Sequence, residues 1–479
     1  MMAPKKTLNA ENLEALGARR LAELLLNVAE KDALTERRLR LELAAQKAPE
    51  SVAAEVRKRL IQIGRAQSFA DWRKVRELAA DLDLQRRTIV DQVATTDASG
   101  ALELMWRFLG LAEAVHGRCD DSNGVIGDIF RSACRDLGPL AGMARPDPVV
   151  LADRIFAALN ENGYGQYDHL IETLAPVLGS KGLDHLKASF IALSRRPVET
   201  PPQENRKVLG WGVGGPLYED EIRARSRVTN VRLALQKIAD AQGDVDAFIA
   251  QCDEQMRKAP RIATAIARRL LAADRAGEAL MAIEAAEQRR GSWPDPDWED
   301  TRIDALEMLG RGADAQVARW SCFEQSLSSK HLRAYLKRLP DFEDVEAEDR
   351  ALDHAERHES ILGALAFLVS WPALDRAARV VTARAGELDG DHYEFLAPAA
   401  ESLTAKYPLA ATLLLRAMID FTLTQSRSSR YRHAARHFLE CASLAAAIPD
   451  YGAFEPHESY AARLKTQHGR KNAFWRLIM

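Results

Sequence analysis

No regular helix can run from Arg195 to Pro216, and that break divides the chain. Pro197, Pro201 and Pro202 remove backbone donors and push their neighbours out of the helical region. Gly210-Trp211-Gly212-Val213-Gly214-Gly215-Pro216 supplies five more breakers. On both sides of the break apolar residues recur at helical spacing, and strand-like alternation is absent. The aromatic share is 6% and alanine is the commonest residue, a balance that suits closely packed helices rather than the covered pleat of a sheet. A length of 479 residues also exceeds what one hydrophobic core accommodates. The expectation is an all-α protein in two helical bodies, 1–195 and 217–479, joined by an irregular linker over 196–216.

Leu13, Leu16, Leu21, Leu24, Leu25 and Val28 predict one amphipathic helix from Asn12 to Glu30, with Asn9 as a cap upstream. Further helices are expected at Pro49–Gln67, Phe69–Val93, Ala101–His116, Ile126–Leu137, Pro148–Asn160 and Tyr167–Leu178. Past the linker, Leu270 to Ala279 aligns with Leu306 to Ala315 at an offset of 36 residues. Each copy reads as an apolar helix end, a small-residue turn and a second helix opening on an acid and alanine. That offset lies close to the period of tetratricopeptide arrays, so the expected architecture is stacked helical hairpins, an α-solenoid.

The overall charge gives no sign of a partner class. Sixty-six Lys and Arg against 69 Asp and Glu give a formal charge of -3, so no global basic field marks a nucleic-acid-binding protein. The five cysteines, Cys119, Cys134, Cys252, Cys322 and Cys441, have no CxxC or CxC spacing, which excludes a compact zinc knuckle. Most of the five read as small buried hydrophobes in a reducing cytoplasm. The start, Met1 to Thr7, leads into an amphipathic segment rather than a signal peptide. The longest uncharged apolar stretch, Ile361 to Leu374, is too short to span a bilayer. A cytoplasmic location without membrane partners is expected.

One local concentration of charge stands out. Across residues 427–479 there are 9 Lys and Arg against 4 Asp and Glu, and four of the 11 histidines. In the segment Arg430 to Ala447, Tyr431, Ala434, Ala435, Phe438, Cys441, Ala442 and Ala445 form an apolar face at 100° per residue. Arg432, His433, Arg436 and His437 form most of the opposite one. With Arg427, Arg430, Arg470 and Lys471, and with Tyr431 and Trp475 as stacking rings, this is a candidate anion or nucleic-acid face. A solvated helix face or an internally paired one is the plainer alternative. The run Asp341 to Glu359, with nine acids and two basic residues, is a possible internal partner.

Other constellations fall short of a site. His354 and His358, like His433 and His437, are i,i+4 pairs, but neither has a third ligand and neither follows the HExxH order. Asp120-Asp121-Ser122-Asn123-Gly124 lacks EF-hand spacing and reads as a helix cap. The glycines at 210–215 lack the strand, helix and lysine that a phosphate loop needs. No catalytic residue, cofactor or metal site is expected, and an enzyme is the least favoured class.

The same Asp120 to Gly124 motif, with Met105-Trp106-Arg107-Phe108, Arg145-Pro146-Asp147-Pro148, His331 to Pro340 and the tail His468 to Lys471, resembles an uncharacterised bacterial all-helical family, a domain of unknown function. It is also similar to the helical region that follows the zinc finger in bacterial SWIM-type proteins. The finger's CxC and CxH pairs are missing here, so its nucleic-acid role does not carry over. The resemblance implies a helical fold across nearly the whole chain and no known activity. The expected function is a protein-interaction scaffold whose partner is a protein or peptide. The alternative is a nucleic-acid-associated protein using the basic C-terminal helix.

Overall fold

The computed structural model describes residues 8–47, 49–71, 74–197, 201–202, 206–212, 214–286 and 296–478. Met1 to Thr7, two residues of the expected Phe69–Val93 helix and positions 198–200, 203–205 and 213 of the expected linker lie outside them. The protein is all-α. The described residues form helices throughout, apart from one antiparallel hairpin, Val208–Gly212 with Gly215–Tyr218, and one isolated bridge between Ala70 and Cys119.

Two compact units divide the chain, residues 1–254 and 255–479. The proline- and glycine-rich stretch therefore lies inside the first unit. Its described part is more regular than its composition implies. Trp211 pairs with Pro216 and Gly212 with Gly215, whose φ of 115° closes the turn. Arg206 ties the base of the hairpin to Asp220 and Glu221, at 2.9 and 2.6 Å, and lies 3.7 Å over the Tyr218 ring. The helix that follows, Glu219–Gln242, packs on Leu170–Arg195 and places Val231, Ala234 and Ile238 in the core of the first unit.

Several expected helices are divided or extended. The Asn12–Glu30 stripe is two helices, Ala10–Glu14 and Ala18–Ala29, separated at Gly17 with φ 79°. Asn9 caps the first by accepting the Asn12 N–H. Leu170–Arg195 runs well past Leu178, through Pro176 and a kink at Gly179. Val125–Ala144 likewise carries Pro139 inside it. Pro148–Asn160 matches its expected bounds, with the Asp147 carboxylate accepting the Val149 and Val150 N–H groups.

In the second unit the 36-residue echo is a repeated joint. Pro260–Ala272 meets Ala276–Glu284, and Pro296–Met308 meets Gly312–Ser326. At each joint one residue turns left-handed, Asp274 with φ 58° and Gly310 with φ 72°. The next N–H reaches back to a leucine carbonyl, Arg275 to Leu270 at 2.8 Å and Arg311 to Leu306 at 2.9 Å. The left-handed residues donate to Leu271 and Glu307 at 3.0 and 2.9 Å. Together these are the two bonds of a Schellman motif, which satisfies the last carbonyls of the first helix. Arg275 and Arg311 then pair with Glu278 and Asp314, both at 2.7 Å. The same bonds recur at Ala239–Asp244 and at Thr422–Arg427, around Gly243 and Ser426. Leu270, Leu306, Ala279 and Ala315 are all buried, and each buried leucine contributes about 1.5–3 kcal/mol. A large core runs from Phe323 to Trp475.

Candidate functional site

The basic face is built on the helix Tyr431–Leu444, which the turn Ser428–Arg430 sets off from the Schellman end at Ser426. Tyr431, Ala434, Ala435, Phe438 and Cys441 enter the core, whereas Ala442 stays exposed. The tail helix Asn472–Trp475 packs on this face, its Phe474 ring 6.1 Å from Tyr431 and Trp475 6.2 Å from Phe438. Lys471 Nζ donates to Ser426 Oγ at 2.6 Å, which brings the tail beside Arg427.

Ten candidate residues therefore separate into groups. Arg427, Arg432, His433, Arg436 and Arg470 are exposed, and none has a carboxylate partner among the described residues. Arg432 and Arg436, one turn apart, share a face. Arg430 is half-buried, paired with Asp391 at 2.7 Å and stacked over Tyr393 at 4.7 Å. Tyr431 and Trp475 are buried, Trp475 donating its Nε1–H to the His468 carbonyl at 3.0 Å beneath Lys465. Their rings are structural, so the exposed cations have no stacking platform from these two residues.

His437 also leaves the basic face. It is 8% exposed, and burial, helped by Arg436 and His433, pushes its pKa down to about 4. At neutral pH it is an uncharged core residue.

The acidic run Asp341 to Glu359 has a different partner. On the helix Glu343–Arg357, Asp349, Asp353 and Glu356 converge on Arg376, and Glu356 also takes Arg379 at 2.7 Å. Both arginines belong to the helix Leu374–Ala383. Trp371 donates to Glu348 at 2.6 Å.

No group of three or more His, Cys, Asp or Glu among the described residues is placed to hold a metal. His354 Nε2 meets the Glu324 carbonyl at 2.9 Å, and the rings of His354 and His358 sit 6.1 Å apart, edge to face. The Asp121 carboxylate accepts the Ile126 and Gly127 N–H groups, each at 2.9 Å, and so caps the Val125–Ala144 helix.

One polar chain escaped the sequence reading. Asp300 accepts His331 Nε2–H at 3.0 Å, which leaves Nδ1 to accept Ser328 Oγ–H at 2.8 Å. Ser328 at the same time caps the helix Ser329–Leu336. The Ser-x-x-His spacing is visible in the chain, but Asp300 lies on another helix. A cap bonded to a buried histidine accounts for the arrangement.

A model of a family of unknown function, DUF6880, matches residues 3–477. The chain belongs to that family. No curated protein and no solved structure matches it. The uncharacterised family expected from the sequence is thus identified. No helix among the described residues is long and apolar enough to cross a membrane.

Proposed function

We propose that this member of the DUF6880 family is a protein-interaction scaffold of the bacterial cytoplasm, its hairpins stacked in a tetratricopeptide-like array. The observation that carries the reading is a repeated exposed apolar position. Met281 and Val317 lie 36 residues apart, on the second helix of each echoed hairpin, and are 66% and 69% exposed. A side chain left in water at the same place in successive repeats fits a surface that a partner covers. The likeness to the helical region behind SWIM fingers belongs to the same proposal, since that region too would act as a helical platform. The test replaces Met281 and Val317 with lysine and compares the proteins retained by the two forms.

A second reading rests on Arg432 and Arg436, which are exposed and free of carboxylate partners among the described residues. Such cations would bind nucleic-acid phosphates with an affinity that falls steeply with salt. Absence of salt-dependent binding to single- or double-stranded DNA or RNA at micromolar protein removes it.

A further inference from the structure

In the first unit a cavity of about 250 Å³ lies between the helices Ala33–Lys47 and Pro49–Arg65 and reaches Gln85 on Lys74–Thr88. Four cations line it, Arg37, Arg40, Lys58 and Arg59, against two carboxylates, Glu36 and Glu55. Leu41 is the one apolar side chain among the described residues of its lining. The space is small for a drug-sized ligand and its walls are almost wholly polar.

Two of the cations are fixed by one buried acid. Asp81 is 1% exposed. Its Oδ2 accepts Arg37 Nη1–H at 3.0 Å and the Nη2–H and Nε–H groups of Arg59 at 2.6 and 2.9 Å. Its Oδ1 accepts Gln85 Nε2–H at 3.3 Å. One guanidinium neutralises a buried carboxylate, so the second is a positive charge beyond what burial of Asp81 demands.

Arg59 has no donor edge left, because its Nη1 donates to Gln62 Oε1 at 3.0 Å. Arg37 does. Its side chain is 33% exposed, and its Nε and Nη2 have no partner among the described residues. Neither atom is shut off from solvent. These two N–H groups form one edge of the planar guanidinium, the fork that takes an oxyanion through two parallel bonds. Lys58 is exposed and has no carboxylate partner among the described residues. Glu36 is taken by Arg40 at 2.6 Å. With Asp81 included, one positive charge remains in surplus around the cavity.

We infer that this cavity binds a phosphate group, free or on a small hydrophilic ester, held by the Nε–Nη2 fork of Arg37 and the Lys58 ammonium. The donors favour phosphate over a carboxylate, since a fork and an ammonium together engage more acceptor oxygens than a carboxylate presents. The polar lining offers no seat for an apolar body. Asp81 holds Arg37 in place before the ligand arrives, which reduces the ordering cost of binding. The inference is independent of the scaffold reading, because Met281 and Val317 lie in the other unit.

The experiment is calorimetric titration of the full chain, at fixed ionic strength, with inorganic phosphate, glycerol 1-phosphate and acetate. At least one phosphate compound should bind, with acetate about tenfold weaker or more. Tighter binding of the ester assigns the site to phosphomonoesters, and equal or tighter binding of inorganic phosphate assigns it to the free ion. Arg37→Lys keeps a cation beside Asp81 but loses the fork, and should weaken phosphate about tenfold. Lys58→Ala, at an exposed position without an ion pair, leaves the fold intact and should weaken it severalfold. The Arg432→Ala, Arg436→Ala double variant should bind phosphate as wild type does, which separates this site from the C-terminal basic face. No binding of either phosphate compound at about 10 mM, acetate binding as tightly as phosphate, or phosphate affinity unchanged by Lys58→Ala overturns the inference.

Discussion

Arg376 and Arg432 both lie on polar helix faces, yet only Arg376 is held by acids. Its side chain is 14% exposed among Asp349, Asp353 and Glu356, whereas Arg432 is exposed and has no carboxylate partner among the described residues. Arg376→Ala should destabilise the protein by about 1–2 kcal/mol, as a bound network allows. The Arg432→Ala, Arg436→Ala double variant should stay within about 0.5 kcal/mol of wild type in urea unfolding. His437 gives a pH dependence whose sign follows from burial. Its folded pKa of about 4 lies below the ordinary imidazole value of 6.5, so below pH 6.5 the unfolded chain binds the extra proton. The stability it contributes is complete above pH 6.5 and is lost as pH falls toward 4. After allowance for residual solvent the loss is about 2 kcal/mol. His437→Gln should flatten that part of the profile, measured as urea midpoint against pH. At this scale the sequence showed charge counts but not partners. The acidic run met Arg376, 17 or more residues along, rather than the basic tail.

Helix ends were easier to read where a side chain makes the stop. Asn9 and Asp147 cap the helices they precede, and the local bonds that fix them span three residues or fewer. The expected Ile126–Leu137 helix stops short of Pro139, which the structure accommodates inside Val125–Ala144, whereas Pro176 lies inside the helix as expected. The echoed hairpin was visible because its two copies share one spacing. The joints at Ala239–Asp244 and Thr422–Arg427 use the same bonds at other spacings, so no period exposes them. Gly310→Ala forces a Cβ into a left-handed turn and should cost about 1 kcal/mol. Gly390→Ala should cost more than about 2 kcal/mol, because its Cβ would run into the Ala417 carbonyl. Thermal melting of the two variants should rank Gly390→Ala as the weaker protein, and the reverse order would contradict the packing described.

At the scale of the molecule, helical class followed directly from composition and periodicity, whereas the division did not. Breakers mark where a helix stops, not where a core ends. Val231, Ala234 and Ile238 lie beyond the breakers and still complete the first core. A fragment of residues 1–254 should therefore melt higher than one of residues 1–195. The shorter piece exposes core that those three side chains cover, at about 1 kcal/mol or more apiece. Equal melting of the two fragments would mean that the Glu219–Gln242 helix adds nothing to that unit. The central claim, that the chain works by holding a protein partner on its echoed hairpins, is tested by nuclease-treated affinity capture from native extract. Wild type, the Arg432→Ala, Arg436→Ala double variant and the Met281→Lys, Val317→Lys double variant are compared at equal loading, with helicity checked by circular dichroism. The account predicts a stoichiometric protein retained by wild type and by the arginine variant and lost from the lysine variant. A partner retained equally by all three, or one that nuclease or loss of the arginines removes, would contradict it.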